Sequence, residues 1–227
     1  MGSMPLRRVG GLAKALVVLL AVYVAVTILA AILTQSVLGD VEDFLDGSIS
    51  EDELTDALGP TLGLGFVQGG VTIALVVLTM IWMYRIAGNH RSIGRRTTWA
   101  AGWAIGGWFL PPVLFVIPFL MLMEMWKASE PTSPPGDEGW RRASVSPLVP
   151  IWWVLYGVLP LVLIITGRNP LRGIGGDIDD VAEQFDEQRT QSLLQSILSV
   201  LAAIAFGLLV RAMTDRHTRL TGEASAR

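Results

Sequence analysis

Residues 99–126 (WAAGWAIGGWFLPPVLFVIPFLMLMEMW) constrain the fold of this chain more than any other stretch. No charged residue falls between positions 97 and 123. A run of that length exceeds the roughly 20 residues with which a helix crosses a bilayer core of about 30 Å. Yet Pro111 and Pro112 stand at its middle and Pro118 follows. A proline inside a helix removes a backbone donor and clashes with the preceding turn, at about 3 kcal/mol or more. Three of them make a straight span a poor solution. The alternative is a re-entrant hairpin, two half-helices that enter and leave on one side. Irregular backbone is tolerated at membrane depth only where protein shields it from lipid. Trp103, Trp108, Pro111, Pro112 and Pro118 are the residues that shape such a hairpin.

Shielding requires true spans, and the composition supplies them. Of 227 residues, 52% are hydrophobic and 16% charged, against about 25% charged in ordinary soluble domains. The excess lies in four further apolar segments, at about 15–38, 63–84, 148–167 and 192–213. They define one membrane domain, 15–213, between an N-terminal segment 1–14 and a tail 214–227. Met1-Gly2-Ser3 ahead of Met4 reads as a cloning scar. The first apolar run is longer than a secretory signal core and lacks a small-residue cleavage site, so it reads as an uncleaved span. Trp152 and Trp153, with Tyr156, lie near the start of the third span and suit the headgroup level. The expected fold is all-α and integral to the membrane, four transmembrane helices plus the proline-broken hairpin.

Charge is segregated by loop. Lys and Arg are retained on the cytoplasmic side. With a re-entrant hairpin and both termini cytoplasmic, fourteen of the seventeen basic residues lie inside and three outside. If residues 99–126 span instead, the best division is ten against seven. The hairpin topology is the better polarised. Segment 39–60 carries eight acidic residues and no basic one, and segment 168–191 is mainly acidic, so both read as outer loops. Segment 127–147, rich in Pro, Ser and Gly, reads as a mobile linker. Span, acidic loop, span occurs twice, at 15–85 and 148–213. That makes an internal two-fold repeat of helix pairs a candidate architecture.

Candidate chemistry is sparse. Asp46–Glu53 (DGSISEDE) matches the second part of a calcium loop, with glycine sixth and glutamate twelfth. Phe44 at the third position offers no oxygen, however, and Ser50 with Glu53 has capping-box spacing. An acidic turn that starts a helix at Glu51 is the plainer reading. Gly63, Gly65 and Gly69 approach a dinucleotide fingerprint, but Gln68 replaces its third glycine and no strand precedes it. Gly65-x3-Gly69, Gly102-x3-Gly106 and Ala203-x3-Gly207 read as close-packing faces. His90 and His217 are the only histidines, and both adjoin arginine in basic segments. They read as solvated loop residues. Cysteine is absent, which excludes disulfides, thiolate metal sites and cysteine nucleophiles. No catalytic, cofactor or metal residues are assigned. The basic loops are too lightly charged for nucleic acid and suit anionic headgroups. Ionisable groups within spans would mark function; the nearest are Arg85, ending the second span, and Glu124, ending the hairpin, expected to pair.

Five stretches together resemble one family: WMYRIAGN (82–89), WAIGGWFLPP (103–112), Pro118, EMWKASEP (124–131) and IWW (151–153). They are similar to the actinobacterial membrane family catalogued as domain of unknown function 4328. Its pattern runs W-x-Y-R-x3-N, W-A-x-G-x-W-F-x-P, a proline, a Glu-x-x-Arg/Lys-A-S segment and a Trp pair. The likeness is detailed over about residues 80–155. It implies four spans in a bacterial cell (inner) membrane, and no activity. The expected function is that of a non-enzymatic membrane protein without cofactors, binding lipids, a protein partner or further copies of itself. The alternative is a small-solute transporter or channel whose pathway the hairpin lines.

Overall fold

The computed structural model describes residues 5–109, 116–134, 136–166 and 189–223. Among them the secondary structure is helical, without strands. The helices are α1 (Gly10–Leu45), α2 (Glu51–Ser92), α3 (Trp103–Gly106), α4 (Ile117–Ala128), α5 (Leu148–Trp153), α6 (Leu159–Thr166) and α7 (Arg189–Thr221). Three of these, α1, α2 and α7, are long and apolar enough to cross a membrane, while the apolar helix at Leu148–Leu163 is shorter. Phe66 is 85% exposed, and Val18, Ile32 and Ile73 are also well exposed. Large apolar surfaces of this kind suit lipid.

At about 1.5 Å per residue, α1 and α2 reach roughly 54 and 63 Å, far beyond a bilayer core of about 30 Å. The excess on one side is the acidic segment 39–60, expected to be a loop. It is instead a helical hairpin. Gly47 has φ +76°, and the Ser48 N–H donates to Asp43 O at 2.8 Å and the Gly47 N–H to Phe44 O at 2.9 Å. That is a Schellman motif, which needs a left-handed residue and so a glycine. Three residues later the capping box forms: the Ser50 N–H donates to Glu53 Oε2 at 2.8 Å, and the Glu53 N–H approaches Ser50 Oγ at 3.4 Å. The Ser50 amide and hydroxyl hold the fully exposed Glu53 carboxyl below its ordinary range.

A second departure is that α2 runs unbroken through Pro60 and joins the end of the acidic segment to the second span. Pro60 denies the Asp56 carbonyl its intrahelical donor. The turns before it are held from outside: Leu54 and Leu58, one helical turn apart, pack on Val37 and Val41 of α1. Each such side chain buried from water is worth about 1.5–3 kcal/mol, enough to offset a lost backbone bond.

The chain forms two compact units. One comprises Ala21–Thr72 and Leu155–Ala203 and contains the helical hairpin just described. In it the Gln68 amide donates to Thr27 Oγ1 at 3.2 Å. A polar pocket of about 180 Å³ is lined by Thr27, Thr34, Gln35, Gln68, Ser192 and Ser196. Buried within the same unit, Gln35 Nε2 has no hydrogen-bond partner among the described residues. Between α5 and α6, residues Val154–Val158 form a π turn. It ends two residues before Pro160, which cannot donate to the preceding turn, and π turns are among the irregularities found where a helix ladder is interrupted.

The other unit comprises Met1–Leu20, Ile73–Val154 and Ile204–Arg227. Its core includes Leu16, Met83, Ile86, Met121, Leu122, Leu209 and Met213, all at most 1% exposed. Residues 99–126 belong here, and the structure breaks them. α3 is four residues long, α4 starts at Ile117 with the buried Pro118 in its first turn, and Pro111 and Pro112 lie outside the described residues. Gly107 follows α3 because nothing larger fits: an added Cβ would stand 2.7 Å from Ile117 Cγ2 and 2.9 Å from Trp103 O.

The small-residue faces differ from expectation. A Cβ added at Gly65, Gly69, Gly102 or Gly106 would meet nothing within 4 Å, whereas one at Gly207 would meet Leu20 Cδ1 at 3.7 Å. Only the last, beside the buried Ala203, packs against another helix of this chain. Segment 127–147, expected to be a mobile linker, also packs. It holds the 3-10 turn Gly139–Arg142 with Trp140 at 2% exposure. Acidic segment 168–191 falls almost wholly outside the described residues.

Candidate functional site

The unit of Met1–Leu20, Ile73–Val154 and Ile204–Arg227, the first in chain order as the other is the second, contains a buried polar network at the end of α2, beyond the apolar run that closes at Arg85. Helix α2 presents Trp82, Arg85 and Asn89 at i, i+3 and i+7, hence on one face. A Schellman motif ends the helix: Gly94 has φ +81°, and the Arg95 N–H donates to His90 O at 2.9 Å. That turn sends Arg95 inward. From α7 come Thr214 and His217, and from the end of α4 comes Ser129. His90, His217 and Ser129 are fully buried, and Asn89 and Arg95 nearly so.

The hydrogen bonds assign a direction to this network. Asn89 Oδ1 accepts from the Arg7 N–H at 2.8 Å, and Asn89 Nδ2 donates to Arg7 O at 2.8 Å. A backbone amide can only donate and a carbonyl only accept, so the orientation of the Asn89 side chain is fixed. Its second proton lies toward His217 Nε2 at 3.1 Å. His217 therefore accepts there and, when neutral, carries its proton on Nδ1, which faces Ser129 Oγ at a long 3.4 Å. The Ser129 hydroxyl then donates to His90 Nε2 at 3.0 Å. The series ends on His90 Nδ1, which has no partner among the described residues. The two imidazoles meet edge to face with centroids 5.0 Å apart.

Electrostatics agree with neutral rings. Burial pushes the His90 imidazolium well below its ordinary range, helped by neighbouring His217 and Arg95. Burial likewise lowers His217 to about 4, against an opposing pull from Glu223. Ser129 beside His90 has the reach of a nucleophile and base, yet both are sealed, and no carboxylate is hydrogen-bonded to either imidazole among the described residues. Substrate cannot reach Ser129 Oγ. What the arrangement does is fasten the N-terminal segment, α2, α4 and α7 to one another.

Further ties surround it. Trp82 Nε1 donates to Thr214 Oγ1 at 3.0 Å, and Trp82 and Trp152 both pack on Phe206, at 6.5 and 5.1 Å between centroids. Arg95 donates to Glu130 O at 2.8 Å and Ser133 O at 2.9 Å. Arg216 forms a salt bridge with Glu130 and lies over the Trp126 ring at 5.1 Å. Glu223 accepts from the Val9 and Gly10 N–H groups, both at 3.0 Å. It thus supplies the anion and acceptors that the first turn of α1 lacks.

Several expectations are corrected here. His90 and His217 are not solvated loop residues but the centre of the network. Arg85 and Glu124 are not brought together. Arg85 donates to Arg8 O at 2.9 Å, while Glu124 accepts from the Thr98 and Trp99 N–H groups at 2.7 and 3.0 Å. Backbone groups left without helical partners claim both side chains. Trp152 is buried on Phe206, and Trp153 stacks on Phe119 at 4.5 Å, so neither serves simply as an interface anchor. Trp103 remains 38% exposed beside Trp99, and Trp108 is half-buried. The residues missed were Arg7, Asn89, Arg95, Ser129 and Thr214. The 82–85–89 spacing was the available signal for Asn89.

A family model described as Domain of unknown function (DUF4328) matches residues 46–215, a range that contains Asn89, His90, Arg95, Ser129 and Thr214 but not Arg7 or His217. No curated protein and no solved structure matches the chain.

Proposed function

The chain belongs to the family Domain of unknown function (DUF4328), and from that membership and the buried network we propose a non-enzymatic integral membrane protein that binds lipid. In this reading four helices span the bacterial cell membrane, with Leu148–Leu163 lying in the third. Residues 99–126 form a cytoplasmic-side hairpin that plugs the first unit, and both termini are cytoplasmic. One observation carries it: His90, His217 and Ser129 are sealed from water, and Ser129 Oγ lies between the two imidazoles. Such a network fixes a scaffold and leaves recognition to the outer surface, where lipid or a second copy can bind. Mass spectrometry of the full chain released from mild detergent tests this. Co-purified phospholipid at defined stoichiometry is expected; a chain that carries only detergent would end the reading.

The pocket of about 180 Å³ in the second unit favours one further reading, a pathway for small neutral solutes. Its wall carries hydroxyl and amide groups without charge, interspersed with Ala30, Ala31 and Leu193, and Gln35 Nε2 there has no hydrogen-bond partner among the described residues. Flux in proteoliposomes that Gln68→Leu alters, with melting temperature unchanged, would favour transport over the scaffold.

A further inference from the structure

Within the first unit, α1 and α7 leave a groove of about 430 Å³ between them. Helix α1 lines it with Gly10, Ala13, Lys14, Val17 and Val18, and α7 with Arg211, Thr214, Asp215 and Thr218. Each set follows i, i+3, i+4, i+7 spacing, so one continuous face of each helix forms the wall. The small Gly10 and Ala13 keep it open.

The chemistry of the groove is ordered along its length. Val17 and Val18 stand within the apolar run of α1. Lys14 precedes that run and Arg211 closes the one in α7, so both cations lie at the level where hydrocarbon gives way to headgroups. Neither is hydrogen-bonded or ion-paired among the described residues, and both are exposed. Asp215 follows Arg211 by one turn, about 6 Å further toward water, and it is exposed as well. Thr214 Oγ1 accepts from Trp82 Nε1, which leaves its proton to donate. An apolar wall, then two cations, then a carboxylate is the charge order of a phospholipid with a cationic head: acyl chain, phosphate, ammonium.

We propose that this groove binds a phospholipid whose phosphate lies between Lys14 and Arg211 and whose primary ammonium reaches Asp215, the ethanolamine class of headgroup. The inference rests on the lipid-binding reading above and names its site and lipid class. Asp215 decides against a purely anionic lipid, which would place a second negative group beside the carboxylate. The apolar wall decides against free phosphate, which has nothing to offer Val17 and Val18. Phosphate contacts by Lys or Arg at a membrane surface are worth roughly fivefold in affinity each.

The test is native mass spectrometry of the full chain titrated with dioleoyl-phosphatidylethanolamine, -phosphatidylcholine or -phosphatidylglycerol. Phosphatidylethanolamine should be retained best. Lys14→Gln with Arg211→Gln should weaken retention of all three by about thirtyfold. Asp215→Asn should bring phosphatidylethanolamine to the level of phosphatidylcholine, whose quaternary ammonium cannot donate a hydrogen bond. All four groups in play are on exposed or groove-lining side chains, and an unchanged melting temperature checks that the variants fold. Tighter binding of phosphatidylglycerol, strengthened by Asp215→Asn, would overturn the assignment. So would displacement of the lipid by millimolar inorganic phosphate. Lipid retention indifferent to all three substitutions would sink the groove while leaving the lipid-binding reading intact; no retention at all would sink both.

Discussion

His90 and His217 stay neutral at pH 7 because burial disfavours the charged rings, and among the described residues no carboxylate is hydrogen-bonded to either. The consequence for stability has a definite sign. Unfolded, a histidine titrates near 6.5; folded, His217 titrates at about 4. Between those values the unfolded chain binds the proton and the folded chain does not, so stability is full above about pH 6.5 and falls as pH drops toward 4. For His217 alone the full loss is roughly 3 kcal/mol, and His90, lowered in the same direction, adds to it. The melting temperature in detergent is expected to decline between pH 7 and 4.5. In His217→Gln, which keeps a hydrogen-bonding group without a titrating one, the decline should be shallower. A variant profile parallel to that of the unmodified protein would show that His217 is not buried neutral.

At the scale of elements, the closures depend on single residues. Gly107 lets α3 approach α4, since a methyl there would press on Ile117 and the Trp103 carbonyl. Gly107→Ala should cost about 1–3 kcal/mol through overpacking, measured as a loss in thermal stability; a smaller added loss from Gly107→Ala in an Ile117→Ala background, which lacks the clashing Cγ2, would confirm the cause. Arg85 ties α2 to the N-terminal segment, whereas Glu124 ties α4 to the loop at Thr98 and Trp99. They share no hydrogen-bond partner among the described residues. The stability losses of Arg85→Gln and Glu124→Gln should therefore add within about 0.5 kcal/mol. A larger coupling in the double variant would place the two side chains in one network.

At the scale of the molecule, absence of cysteine makes topology directly measurable. Single cysteines at Asp43, Ser133 and Gln184 should react with an impermeant thiol reagent in intact cells at the first and third positions only. External labelling at Ser133 would make residues 99–126 a crossing segment and end the re-entrant topology. Helices α1 and α2 extend well past a bilayer core, so the helical hairpin around Gly47 should project into the outer aqueous phase. Labelling at Asp43 checks this too.

The sequence by itself determined what depends on neighbours along the chain. The apolar runs were legible because a bilayer demands length. The start of α2 was legible because Ser50 and Glu53 satisfy each other locally, and the break in residues 99–126 because proline forbids a continuous helix. Tertiary structure decided the rest. Pro60 stays helical because Leu54 and Leu58 pack on α1. Segment 127–147 packs because Arg95 finds carbonyls there. The network joins Arg7, Asn89, Ser129 and His217, four positions as much as 210 residues apart. No local pattern announces that a histidine among arginines will be sealed from water. Only the packing that removes water, and so obliges every polar atom to seek a partner, turned His90 and His217 from surface residues into the centre of the unit.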